Sequence, residues 1–211
     1  MPAILIAAAL LFVLAPSVGF AQSSEDADPL RPKRHFKVQR PANLSPPEAL
    51  SIYDNIADEM AKGYAVSMDP AALRFRKWRR FNTAPYKSAT HGNRYVNNYV
   101  NGTGIDAYGP MSDGKKMPVG SVIAKDSFTV TSDTAVFAGA LFVMEKMAKD
   151  TRPKTGDWRY KMIMPDGSYL GDSEGDNADK VSFCHECHKA KAKNDYLFFI
   201  PKKYRVQFLQ K

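Results

Sequence analysis

The sequence predicts an α+β fold: an antiparallel β-sheet core with one N-terminal and one C-terminal helix. Three observations predict it. A capped run with helical spacing starts at Ser45, short alternating segments separated by Gly, Pro, Asn and Asp follow from Arg74, and a compact Cys/His cluster lies at 184–188. Among 211 residues, 44% are apolar, 25% charged and 11% aromatic, which excludes a largely disordered chain. Two cysteines are too few for a disulfide-stapled miniprotein.

Residues 1–21, MPAILIAAALLFVLAPSVGFA, have no charged side chain, run apolar from Ala3 to Ala15 and break at Pro16. Gly19 and Ala21 suit the third and first positions before a signal-peptidase cut that releases Gln22. We read a signal peptide and expect a periplasmic protein. The stretch is short of the about 20 apolar residues of a membrane span, although no Lys or Arg follows Met1, which leaves an uncleaved anchor as the alternative. Residues 22–44, including His35, are polar and Pro-containing and read as a flexible leader or extended arm.

The domain is expected over 45–211. Ser45-Pro46-Pro47-Glu48 is a helix start, with Ser45 as N-cap and Glu48 three residues on in the capping-box position. Ala49, Leu50, Tyr53, Ile56, Ala57 and Met60 then recur at helical spacing, and Gly63 is expected to end the helix. Tyr95–Val100 and Val119–Thr131 read as strands. In the second, alternation puts Ser121, Ile123 and Lys125 on one face and Val122, Ala124, Asp126 and Phe128 on the other. Gly139–Met147 fits strand or helix. Trp158, Tyr160, Met162 and Met164 alternate with Arg159, Lys161 and Ile163 ahead of a Pro165-Asp166-Gly167 turn.

The formal charge of +8 is spread along the chain, with one cluster, RFRKWRR at 74–80, that as a strand would alternate basic and aromatic faces. Such a surface steers an acidic redox partner or meets an anionic membrane. Nucleic acid is not an expected partner of an exported protein.

Both cysteines fall in Cys184-His185-Glu186-Cys187-His188, a C-x-x-C-H sequence. In an exported protein this is the attachment signal for c-type haem. Two intervening residues let both sulfurs reach the vinyl groups of one porphyrin edge, and the histidine becomes the proximal iron ligand. The late helix is therefore a C-terminal haem-attachment helix, with His185 and Glu186 as spacers facing away. A dithiol redox pair or half a zinc site is the alternative, but no third cysteine exists to complete the latter.

No Met follows His188, so an ordinary His/Met cytochrome is not expected, and Met162 and Met164 read as core residues. His91 is either a distal hydrogen-bond donor or an exposed loop residue. Phe81, Phe128, Phe137 and Phe142 either cap the open iron face or pack in the core. The expected iron is five-coordinate and high-spin, with one site open to a small nitrogen-containing ligand or gas.

MPVGSVIAKDSF at 117–128, GDWRYKMIMPDG at 156–167 and CHECHKAKAKNDYLFF at 184–199 together resemble the cytochrome P-460 family: its Lys-bearing strand, its Trp-led strand and turn, and its haem motif followed by Asp and an aromatic strand. The resemblance runs from about Trp78 to Tyr204. It implies a β-rich haem domain, a homodimer paired through sheet surfaces, and a covalent bond from the porphyrin to the lysine matching Lys125. That residue would tune the macrocycle, so Lys125 is a candidate catalytic and cofactor-binding residue beside Cys184, Cys187 and His188, with His188 as the metal ligand. Otherwise Lys125 is a solvated lysine or a propionate partner. The implied activity is oxidation of hydroxylamine or handling of nitrogen oxides, with Glu145 or Asp126 as candidate distal carboxylates. The alternatives are a gas-binding protein similar to cytochromes c′-beta, without turnover, or an electron-transfer cytochrome. The sequence departs from the family in its longer front section, in Asp126 where Glu is frequent, and in Ala124 where Val is usual.

Overall fold

The computed structural model describes residues 41–208, so the expected signal peptide, most of the leader and His35 lie outside the described residues. Helix α1, Pro46–Ala65, begins as the capping box requires: the Glu48 carboxylate accepts from both the backbone N–H and the hydroxyl of Ser45, each at 2.7 Å. Gly63 does not end it. A Cβ there would lie 2.0 Å from the Pro165 carbonyl oxygen, so the glycine instead permits close approach of the turn after the Trp158 strand.

Eight antiparallel strands form one sheet: β1 Arg79–Arg80, β2 Tyr86–Ser88, β3 Arg94–Val100, β4 Val122–Val130, β5 Val136–Ala138, β6 Leu141–Lys146, β7 Trp158–Ile163 and β8 Tyr169–Asp172. The order is β1-β3-β4-β6-β7-β8, with β2 also on β3 and β5 also on β4. Residues 139–147, open to either reading, thus supply a strand. A short helix α2, Ile105–Tyr108, lies between β3 and β4, and α3, Ser182–His188, carries the Cys/His cluster.

The period of two gives the sheet two different faces. Tyr95, Tyr99, Ala124, Phe128, Leu141, Val143 and Ile163 cluster with Ala49, Tyr53, Ala57, Met60 and Tyr64 of α1. Each large apolar side chain buried in this layer contributes about 1.5–3 kcal/mol. On the other face Ile123, Met144 and Tyr160 join Trp158, Leu197 and Ile200, while Met162 packs with Val181 ahead of α3. The sheet therefore separates α1 from the C-terminal segment. Residues 41–44 run along this assembly: the Ala42 amide donates to the Val130 carbonyl at 2.7 Å and the Leu44 amide to the Tyr95 hydroxyl at 2.7 Å.

The basic cluster 74–80 is not a strand over most of its length. Asp69 Oδ1 accepts from the amides of Ala71 and Ala72, which starts a run of helical turns that continues through Lys77. Phe75 is thereby buried, and Arg76 turns back to donate to the Tyr53 hydroxyl at 2.6 Å.

Candidate functional site

β4 places Lys125 on the face away from α1, opposite Asn98 of β3 and Phe142 of β6. There it lines a cavity of about 670 Å3, including its mouth, with Ile123, Phe142, Met144 and Tyr160 from the sheet and Phe183, Cys184, Cys187 and His188 from α3. Lys125 is 7% exposed and has no ion pair or hydrogen bond among the described residues. Burial pushes its ammonium down to about 8, against the opposing influence of Cys187.

His188 is held on three sides. Its ring lies 5.6 Å from Tyr160 and 5.4 Å edge-on to Phe198, and its Nδ1 is 2.6 Å from the Tyr196 carbonyl oxygen. A carbonyl only accepts, so Nδ1 carries the proton and Nε2 keeps its lone pair for a metal. Burial, reinforced by Lys125, pushes His188 down to about 4 and keeps the ring neutral. The chain brings the Tyr196 carbonyl back by two successive residues with positive φ, Asp195 at 51° and Tyr196 at 65°. Buried Asp195 locks that turn: its carboxylate accepts from the Met117 amide at 2.8 Å and Lys146 Nζ at 2.7 Å, while its carbonyl accepts from Trp158 Nε1 at 2.9 Å. The sequence marked an Asp after the motif, but not that it orients His188.

The two cysteines are free thiols rather than a disulfide, and burial pushes Cys184 up to about 12. Among the described residues no group of three or more His, Cys, Asp or Glu is arranged to hold a metal ion. The fully buried Tyr160 hydroxyl has no hydrogen-bond partner among the described residues. An apolar cavity, two unbridged thiols one helical turn apart, a neutral imidazole with its Nε2 lone pair, an unpaired ammonium and an unsatisfied hydroxyl form a donor set that fits a haem.

The family model described as Cytochrome P460 matches residues 73–199, more than half of the chain. The chain belongs to the cytochrome P460 family. It is a haem cytochrome, and the matched span contains every residue of this cavity. No curated protein matches the chain.

In this cytochrome the other expected site residues separate. Neither candidate carboxylate reaches the cavity. Asp126 lies on the α1 face, 2.5 Å from the Tyr53 hydroxyl and 3.0 Å from Asn97 Nδ2, because alternation turns it away from Lys125. Burial raises it to about 6 despite those bonds. Glu145 faces Arg159 and Lys161 at 3.9 and 3.8 Å. Of the four candidate phenylalanines only Phe142 lines the cavity: Phe128 packs on Tyr53 and Tyr95, Phe81 on Tyr108, and Phe137 lies on β5 opposite Thr129. His185 and Glu186 are not among the residues lining the cavity.

His91 is not simply an exposed loop residue. It is half-buried and lines the cavity, its ring 4.9 Å from Phe142 and 6.5 Å from His188. Phe183 and Tyr160 also line the cavity, although the sequence places Tyr160 only in an alternating strand and singles out neither as a site residue. No helix among the described residues is long and apolar enough to cross a membrane.

Proposed function

We propose that the chain is exported to the periplasm through residues 1–21 and holds one haem by thioether bonds to Cys184 and Cys187, with His188 on the iron. We further propose that it oxidises hydroxylamine or handles related nitrogen oxides, passing electrons to a redox partner protein. The observation that carries this reading is Lys125: a buried, unpaired ammonium facing the same cavity as the C-x-x-C-H cluster. Burying a charge without a partner is unfavourable, and a covalent bond from Nζ to the porphyrin removes that penalty. Joining the amine to a ring carbon releases two electrons and two protons, one from nitrogen and one from carbon, to an oxidant of the peroxide class.

A bound haem supplies an iron that exchanges electrons and takes small nitrogen ligands. The chain's own residues do the rest. Cys184 and Cys187 fix the porphyrin edge, the Tyr196 carbonyl strengthens His188 as a ligand, Lys125 tunes the macrocycle, and Ile123, Phe142 and Met144 exclude water. Subunits are expected to pair through sheet surfaces, and nucleic acid is not a partner. A second reading, reversible binding of nitric oxide or carbon monoxide, is favoured by a cavity lining that, among the described residues, contains no carboxylate.

The test is the absorption spectrum of the dithionite-reduced protein, with hydroxylamine turnover measured alongside. A strongly red-shifted Soret band, lost in Lys125→Ala, together with turnover supports the first reading. An ordinary high-spin c-type spectrum that responds to carbon monoxide without turnover leaves the second.

A further inference from the structure

We infer that His91 is the second axial ligand of the haem iron, opposite His188, and that a small ligand binds by displacing it. This deepens the haem reading above and rests on it. The expectation of an iron with one permanently open face is replaced by one of a face closed at rest and opened on demand.

Four observations carry it. His91 and His188 line one cavity although they come from opposite ends of the domain, one from the turn after β2 and the other from α3. In each ring the protein engages Nδ1: His91 Nδ1 lies 2.9 Å from Ser88 Oγ and 3.2 Å from Thr90 Oγ1, as His188 Nδ1 meets the Tyr196 carbonyl. Such a contact to one ring nitrogen is the usual second partner of a histidine that binds metal through the other. The ring centroids are 6.5 Å apart. Metal–nitrogen bonds of about 2.0–2.1 Å put two imidazoles on a shared ion roughly 6.4 Å apart, centre to centre. A ring that only hydrogen-bonds to a bound diatomic would have to stand farther off.

Finally, the turn is built to hold its ring. Gly92 takes the left-handed conformation at φ 70°, the Asn93 amide closes back on the Ser88 carbonyl at 3.0 Å, and Phe142 supports the imidazole at 4.9 Å. Met144, the other cavity residue with a soft donor, packs instead within the Ile123–Trp158–Tyr160 cluster.

The interplanar angle of 73° gives a signature that needs no variant. Near-perpendicular axial imidazoles leave two iron d orbitals almost degenerate, which produces a strongly anisotropic low-spin electron paramagnetic resonance signal. The experiment records this signal on oxidised holoprotein whose covalent haem has been verified by haem staining of a denaturing gel. We expect the low-spin signal in wild type, a high-spin spectrum in His91→Gly, and return of the low-spin form when free imidazole is added to that variant. Carbon monoxide should bind the reduced variant on the order of tenfold or more tightly, since the wild type is competent only in the fraction with His91 detached. A high-spin wild type unchanged by His91→Gly overturns the inference and leaves the haem reading standing, as does a near-infrared thioether-to-iron band assigning the position to Met144. Absence of covalent haem overturns both.

Discussion

Replacing Asp69 by alanine removes a carboxylate that does two structural tasks at once. Asp69 is 3% exposed; its Oδ2 accepts from Lys161 Nζ at 2.7 Å and from the Tyr169 hydroxyl at 2.8 Å, and its Oδ1 caps the amides of Ala71 and Ala72. The variant leaves the Lys161 ammonium buried with only Glu145 at 3.8 Å for company. Breaking a buried pair from one side costs about 3–5 kcal/mol, and loss of the cap adds about 1 kcal/mol. In a domain of this length about 1 kcal/mol moves Tm by roughly 2–4 °C, so Tm should fall on the order of 10 °C. The assay is thermal unfolding of the holoprotein followed by far-UV circular dichroism, with the double variant Asp69→Ala/Lys161→Met measured beside it. The double variant should recover most of the loss, because no unpaired charge remains. Burial pushes the Asp69 carboxyl up, but the Lys161 and Tyr169 bonds outweigh it and hold the group below its ordinary range. A carboxylate depressed in the folded state stabilises above its unfolded pKa, about 3.9, and that contribution disappears as pH falls through the folded value. The acid slope of wild type below about pH 4 should therefore flatten in the variant. A single variant within about 1 kcal/mol of wild type, or a double variant less stable than the single, would refute the reasoning.

Three further outcomes follow from the same geometry. Gly63→Ala drives a Cβ to 2.0 Å from the Pro165 carbonyl and should destabilise by about 1–3 kcal/mol in chemical denaturation, with β7 displaced rather than α1 strengthened. Asp126 is raised to about 6, so its folded state favours the protonated form; wild-type stability should decline as pH rises from about 4 to about 6, and Asp126→Asn should remove that decline in a pH series of melts. Asp195→Ala frees the turn that presents the Tyr196 carbonyl, which weakens His188 as a donor to iron; voltammetry should record a higher reduction potential with covalent haem retained.

What the sequence disclosed was mostly local. The capping box of α1 spans three residues, and the faces of β4 follow from a period of two, so the start of the helix and the outward pairing of Lys125 with Ile123 were legible before any contact was known. The C-x-x-C-H spacing likewise carries its own chemistry. The misreadings arose where a distant partner decides. The 74–80 cluster would alternate basic and aromatic faces as a strand, but Asp69 caps the turns before it. Gly63 reads as a stop until Pro165 arrives against it. Asp126 and Glu145 are candidates by nearness to strand ends alone, whereas Tyr53 and Arg159 claim them on the other face. His91 sits in a turn with no periodicity to read, and only the sheet that brings Phe142 beside it turns it toward His188.

The central claim is that one haem joins β4 to α3 through Lys125, Cys184 and Cys187. Mass spectrometry of the haem peptides from trypsin-digested holoprotein tests it most directly. The expected result is a single haem-bearing species containing both the 184–188 segment and the segment around Lys125, uncleaved after Lys125 because its amine is consumed. Haem recovered on the 184–188 segment alone, with free peptide ending at Lys125, would contradict it.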